Sequence, residues 1–547
     1  MEPFPAQEGH CIQSGWCGRA KIMSTPQASI SLGNVPTASL ALFLRRWFPF
    51  RVFLGTLLVA GVFACARLNP PDPDMWWHLA VGERILQSSG WPTVDSYSYT
   101  VAGHPWIAYE WLGEVLIASA ARLAGMPGLV CLLLILSCTF LLLLFYASDL
   151  RSANLKAAFV ACAAVLPAAA FFFTVRPQLI GYIFLLITLI WLRRYRQGRQ
   201  RSLWVLPFVF IIWVNTHGSF AFGLFVLGVY WFSGLVEFRV GGIFAERWTP
   251  GQRRHLAIIF LLCVLGLTIT PYGTRLAAYP LEMAFLQPVN IASIQEWQPL
   301  SPYFQMGKVF IALLLGFFLL HLLCRLSYRL EELALLFLAI YAASVHRRFL
   351  LLLVVVLAPT LAMLLVRWMP PYQSRKDRHV LNLASVILLG VGLVLFFPSA
   401  QAIHGVVSQS YPDQAVAYMR AQGISGRVLN EYGWGGYLIW SLRAQQKVFI
   451  DGRADIYDHG GVLADYMSMT HLKPNTLFLL QKYGISSCLL RRDAPLRTLL
   501  AARPDWEMVY QDRVSVLFVR RSTPVRPGQA RGLAASYGRP QSKIILF

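Results

Sequence analysis

A polytopic α-helical membrane protein with a small α/β domain near its C-terminus is the fold class this sequence predicts, on three grounds. Of the 547 residues, 56% are hydrophobic and 14% charged, against about 25% charged in an average soluble domain. Apolar runs recur near 48–67, 127–147, 157–174, 179–192, 203–214, 219–236, 255–270, 308–324, 332–345, 349–366 and 379–397. That makes about eleven candidate transmembrane helices, most of them close to the roughly 20 residues that cross a bilayer's hydrocarbon core. Past residue 405 charges return, and short apolar strands alternate with helical stretches.

Arginine placement sets the expected orientation. "DLRSANLK" (149–156), "RRYRQGRQR" (193–201), "EFRVGGIFAERWTPGQRRH" (237–255), "RLSYRLEE" (325–332) and "RWMPPYQSRKDRH" (367–379) fall in alternate loops, on the same side as Arg45 and Arg46. Positive loops stay cytoplasmic, so this side is inside. The formal charge of +22 is thereby topology. Spread over many short loops, it forms no patch for nucleic acid, which is excluded as a partner.

In chain order, residues 1–44 are polar and aperiodic, expected as a disordered cytoplasmic tail or as an extension ahead of a start at Met23. No cleavable signal peptide is expected, because the first apolar run begins too late. Residues 45–398 form the membrane domain, with a long first outer loop at 68–126. An odd number of spans leaves 405–522 outside. There "GRVLN", "KVFID", "SSCLL", "WEMVYQ" and "VSVLFV" read as strands, and "DQAVAYMRAQG", "GGYLIWSL" and "APLRTLLAAR" as helices. Residues 523–547 are basic, rich in Gly, Pro and Ser, and expected to be disordered. The nine cysteines show neither a disulfide framework nor a zinc spacing.

The first outer loop opens with "DPDMWWH" (72–78). Trp77, Val81, Ile85 and Leu86 recur at helical spacing, so a helix is expected along the membrane surface, with Trp76 and Trp77 at headgroup level. Asp74 is its expected N-cap. Acids at a membrane interface suit work on a charged lipid. A carboxylate there can act as general base on an acceptor hydroxyl or amine, and the leaving phosphate needs cations or a metal. Asp72, Asp74 and Glu110 are the candidate catalytic carboxylates. Candidate substrate-binding residues are His78, Arg176 in "TVRPQ", His217 in "NTHGSF", Glu296 in "IQEWQPL", and Arg347 and Arg348 in "VHRRF". If a divalent metal (magnesium or manganese) is used, Asp72 and Asp74 are its natural oxygen ligands. Asp451 and Arg453 in "IDGRADIY" are expected to pair structurally.

The acidic pair "DPD" and the later "HPWIAYEWL" (104–112) resemble the GT-C glycosyltransferases, in particular the protein-mannosyltransferase and aminoarabinose-transferase branches. The second stretch is similar to a proline- and tryptophan-bearing segment of that loop, with Trp106 replacing its second proline and Glu110 inserted before Trp111. "WVNTHGSF", "TPYG" and "WGGYLIW" also look like segments of a broad set of bacterial membrane proteins. The resemblance implies transfer of a sugar from a polyprenyl-phosphate donor to a lipid, glycan or protein acceptor, at the outer face of a bacterial inner membrane. A transporter or flippase for lipid-linked sugars is the rival, and it predicts charges lining the spans. A non-catalytic scaffold is another, and it predicts that Asp72 and Asp74 are replaceable.

Overall fold

The computed structural model describes residues 42–87, 90–324 and 326–521. The expectations for both termini beyond these lie outside the described residues. The chain divides into two compact units, one ending at Trp47 and one beginning at Phe48. In the first, residues 42–47 are helical.

A helix occupies each of the eleven apolar runs. In chain order the elements that frame the site begin with α1 (Phe50–Ala66), α2 (Pro73–Gln87), α3 (Trp111–Ser152) and α4 (Leu155–Ala170). α5 (Gln178–Arg196), α6 (Val205–Val214), α7 (Phe220–Ser233), α8 (Pro250–Gly266) and α9 (Arg275–Phe285) follow. Then come α10 (Gln305–Leu323), α11 (Leu330–Val345), α12 (Leu350–Leu365), α13 (His379–Leu395) and α14 (Ala400–Ser410). Local chemistry sets several ends. The Asn154 side chain accepts from the Lys156 and Ala157 N–H groups at the start of α4, and Thr249 with Gln252 forms a capping box ahead of Pro250. α3 is broken at Ala124 and Gly125, with Pro127 just beyond, so its amphipathic first part leaves the line of its apolar remainder.

Length narrows the membrane reading. Among the described residues four helices are long and apolar enough to cross a bilayer, or up to five if α13 and α14, bent by 61°, make one broken span. The chain is a multi-pass membrane protein, but the count of about eleven is not reached on length alone. α6, for example, has 10 residues and rises about 15 Å, half the hydrocarbon thickness.

The bundle has two chemically distinct ends. At one, Arg151 in the last turn of α3 and Arg193 in the last turn of α5 both reach Glu332, at 2.7 and 2.6 Å. The two helices therefore run side by side, and their N-terminal ends lie at the opposite end with α2.

The C-terminal segment forms a four-stranded mixed sheet. A minor sheet precedes it (β1 Phe238–Val240, β2 Ile243–Ala245, β3 Tyr328–Arg329). The larger one contains β4 (Val428–Asn430), β5 (Ser487–Arg491), β6 (Trp506–Gln511) and β7 (Ser515–Arg520), in the order β4-β5-β7-β6. β4 and β5 are parallel and the other pairs antiparallel. "KVFID" is no strand of this sheet. The Val448 N–H donates to the Tyr97 carbonyl and the Tyr99 N–H to the Val448 carbonyl, both at 3.1 Å, and the Thr100 hydroxyl donates to the Phe449 carbonyl. Its backbone is thus shared between the first loop and the Asn430 side chain of β4, which accepts the Phe449 N–H at 2.9 Å and donates to the Ile450 carbonyl at 2.8 Å.

Two expectations for α2 are corrected. Trp76 and Trp77 are buried, not at headgroup level. Helix Gly435–Leu442 lies over them so closely that a Cβ on Gly436 would meet the Pro73 carbonyl oxygen at 2.9 Å. Trp76 packs against Tyr411, Tyr437 and Trp440, with ring centroids 4.8–5.4 Å apart. The cap differs too: Asp72 Oδ1 accepts the Asp74 N–H at 2.9 Å, which leaves the Asp74 carboxylate free to turn into the bundle.

Candidate active site

A cavity of about 890 Å³ opens where α2 and the starts of α3 and α5 meet the C-terminal segment, and all nine predicted residues line it. They come from six places in the chain, so the fold gathers them.

Arg176 organises one wall. It lies in the α4–α5 connection, where Pro177 follows at the head of α5 and fixes the turn. Its Nη2 sits 2.6 Å from Asp74 Oδ2, its Nη1 3.7 Å from Asp72 Oδ2, and it also pairs with Glu296. The other Asp74 oxygen accepts the Trp77 indole N–H at 3.1 Å. Burial pushes the Asp74 carboxyl up to about 7, Arg176 pulling against it while Asp72 and Glu296 add to it. Asp72 is raised for the same first reason. Glu296 goes the other way: burial raises it, but Arg176 and Arg348 prevail and hold it at about 2.

Glu110 organises the second wall. Its Oε2 faces His78 Nε2 at 3.4 Å and its Oε1 faces His217 Nε2 at 3.3 Å. Burial, opposed by Arg176 and reinforced by Asp74, lifts the Glu110 carboxyl to about 8. Burial, then Arg348 and Arg176, lowers His217 to about 3, and it is neutral. Its tautomer is fixed, because the Ser219 N–H donates to Nδ1 at 3.0 Å, leaving the ring proton on Nε2 toward Glu110.

Arg347 and Arg348 line the third side. The Arg348 guanidinium lies 4.1 Å from the Trp297 ring centroid, and Arg347 donates to the Gln295 side chain at 3.3 Å. Neither forms a salt bridge with a carboxylate among the described residues, whereas Arg176 meets three.

The three-carboxylate wall does not fit a divalent metal as placed. Among the described residues no group of three or more His, Cys, Asp or Glu side chains is arranged to hold one. Asp72 and Asp74 turn their oxygens to Arg176 instead.

Several cavity residues escaped the sequence reading. Tyr109 and Tyr279 stack at 3.9 Å, and Asp455 and Tyr432 reach in from the C-terminal segment. "IDGRADIY" carries the reason. Arg453 is fully buried and paired bidentately with Asp451 (2.6 and 2.8 Å), as expected, but its Nη1 also meets Asp95 of the first loop at 2.8 Å. Trp106, the departure from the family stretch, lies over the same guanidinium at 4.7 Å. This junction holds Gly452 against the site, where a Cβ would meet Asp74 Oδ1 at 1.9 Å. A glycine beside an R-A-D-I-Y run was the available signal.

Comparison with solved structures bears on the fold. The chain superposes on the oligosaccharyltransferase of Archaeoglobus fulgidus, solved with a tethered acceptor peptide, with a TM-score of 0.51 at 12% identity, covering 82% of this chain and 70% of that one. The likeness is one of fold: the chain shares the architecture of that oligosaccharyltransferase. ArnT from Cupriavidus metallidurans matches at a TM-score of 0.48 and 16% identity, over 88% of this chain and 98% of that one. The arabinofuranosyltransferase AftD from Mycobacteria matches at 0.45 and 13%, over 88% of this chain and 40% of that one. No protein-family model and no curated sequence matches. The cavity lies at the end of the bundle away from the Arg151–Glu332–Arg193 cluster.

Proposed function

We propose that the chain is a membrane glycosyltransferase that moves a sugar from a polyprenyl-phosphate donor to a lipid, glycan or protein acceptor. The observation that carries this reading is one cavity holding two carboxyls poised near neutrality and two arginines that form no salt bridge with a carboxylate among the described residues, at one end of an apolar bundle. The oligosaccharyltransferase likeness supports the fold this needs. With the arginine cluster of the other end cytoplasmic, the cavity and the C-terminal α/β segment face outward from a bacterial inner membrane. The shorter apolar helices then cross as well, to give about eleven spans.

In this mechanism the acceptor hydroxyl or amine attacks the sugar's anomeric carbon and loses its proton to the Asp74–Glu110 carboxylate set. The carbon–oxygen bond to the phosphate breaks, and its electron pair leaves with the lipid phosphate. Arg347 and Arg348 take up that charge as planar donors. Arg176, already committed to Asp72, Asp74 and Glu296, orients the carboxylates rather than the phosphate. Positioned proton transfer of this kind contributes roughly 10²–10⁴-fold.

The test compares envelope lipids and glycans by mass spectrometry in a deletion strain, its wild-type complement, and Asp72→Asn and Asp74→Asn complements at matched membrane levels. Loss of a sugar mass in the deletion that Asp74→Asn fails to restore supports transfer and identifies the acceptor. Full restoration by both variants rejects the catalytic assignment.

A further inference from the structure

Behind Glu110 the cavity wall continues into the protein. His78 is 1% exposed and presents both ring nitrogens to carboxylates: Nε2 to Glu110 at 3.4 Å and Nδ1 to Glu114 Oε1 at 3.3 Å. Glu114, in the first turn of α3, is 0% exposed, and its Oε2 has no hydrogen-bond partner. It does not line the cavity. The contact is built by close helix approach. One turn beyond His78, a Cβ on Gly82 would meet the Glu114 carbonyl oxygen at 2.1 Å, so only glycine lets α2 and α3 come this near.

Proton counting limits what this trio can be. A neutral imidazole has one N–H and one lone pair. Burial, reinforced by Arg176 and His217, holds His78 neutral. Whichever nitrogen lacks the proton needs a donor, so one of the two facing carboxyls is protonated and the other accepts. Two arrangements satisfy this. Either Glu110 is protonated and His78 carries its proton on Nδ1 toward an ionised Glu114, or Glu114 is protonated and His78 carries it on Nε2 toward an ionised Glu110. His217 cannot share in the exchange, because Ser219 fixes its tautomer.

We propose that His78 and Glu114 form a proton relay that takes the resting proton of Glu110 into the interior and holds it there until product leaves. This rests on the glycosyltransferase reading above. At rest Glu110 carries the proton that the trio shares. Glu110 passes it to His78 Nε2 as Nδ1 passes its own to Glu114. The sum is one proton moved from Glu110 to Glu114, with the imidazole neutral before and after. Glu110 is thus ionised when the acceptor's O–H or N–H bond breaks as its heteroatom bonds the anomeric carbon, and that proton lands on Glu110. Once the cavity empties Glu110 loses it to water, and the reverse shift returns the stored proton from Glu114. His78 and Glu114 act through Glu110 and are positioning residues. The charged and titratable groups around the relay are Asp74 of α2, Arg176, Glu296, His217 and Arg348, with Tyr109 and Tyr279 beside Glu110, and Arg453, Tyr97 and Tyr272 near Glu114.

The experiment uses full-length protein in lipid nanodiscs with ¹⁵N-labelled histidine, its His78 signals identified by their loss in His78→Gln. The same samples are assayed for consumption of a set of undecaprenyl-phosphate hexoses. The relay predicts both neutral His78 tautomers coexisting between about pH 6 and pH 8. It also predicts turnover lowered about tenfold or more in Glu114→Gln and partly recovered in Glu114→Asp, which a merely structural role does not require. A single His78 tautomer throughout that range overturns the relay, as does wild-type turnover in Glu114→Gln. Coexisting tautomers in a wild-type protein that consumes no donor leave the relay standing and reject the glycosyltransferase reading instead.

Discussion

Gly452→Ala tests whether the C-terminal segment sets the position of Asp74. No strained backbone enters, since Gly452 does not have a positive φ. The added methyl would lie 1.9 Å from Asp74 Oδ1, 2.8 Å from Trp77 Nε1 and 3.0 Å from Asp74 Cγ. Ordinary contact begins near 3.5 Å, so the carboxylate must retreat by about 1.6 Å. Neither its 2.6 Å pairing with Arg176 nor the 3.1 Å bond from Trp77 survives such a shift. Overpacking of this kind costs about 1–3 kcal/mol, and misplacing a catalytic group by about 1 Å costs on the order of 10²-fold in rate. The assay is consumption of an undecaprenyl-phosphate hexose by the purified protein, beside its thermal unfolding midpoint. The expected result is a modest fall in midpoint and a rate loss near two orders of magnitude. Gly405→Ala, with nothing within 4 Å of the new methyl, should change neither. A Gly452→Ala enzyme within about threefold of wild type would show that Asp74 is not held from this side, and the positional argument would fall.

Three further outcomes are expected. Arg453→Met strands Asp451 and Asp95 without their buried partner; breaking such a pair costs about 3–5 kcal/mol, and limited proteolysis should then release the C-terminal segment. Turnover should rise with pH, because Asp74 at about 7 and Glu110 at about 8 accept protons only when ionised; the set titrates together, and a rate that falls from pH 6 to pH 9 contradicts the assignment. Arg176→Gln removes the charge that holds both carboxyls down, so the rising limb should move to higher pH as well as lower in amplitude, measured in the same pH series.

Apolar runs of helical length announce themselves, and that is why the helices lay where the sequence put them. The same local logic misplaced Trp76 and Trp77. A tryptophan pair after a span is equally suited to headgroups and to a protein cover, and the cover, helix Gly435–Leu442, is encoded far downstream. Span number does not follow from apolarity alone, which marks burial in a bundle as well as in lipid; four or five helices among the described residues pass on length as well. The nine cavity residues were legible as charge placed beside apolar runs, but not their division of labour. Arg176 could be read as a phosphate ligand until the structure showed three carboxylates around it. For the same reason Asp72 and Asp74 could be read as metal ligands. For Gly452 and Asp455 the R-A-D-I-Y run was a signal that something mattered there, but the partner across the fold, Asp74, is not legible from it.

Asp74 emerges early in synthesis, whereas Gly452 and Arg453 follow roughly 380 residues later, about 20–75 s at ordinary elongation rates. Until then the helices can enter the membrane, but the acids lack the wall that closes over them. A nascent chain at that stage is inserted yet unfinished, and so is any product truncated before the R-A-D-I-Y run. The junction at Arg453 therefore acts as a completion check: the pocket is formed only in a molecule whose last third has reached the same side of the bilayer as its first loop.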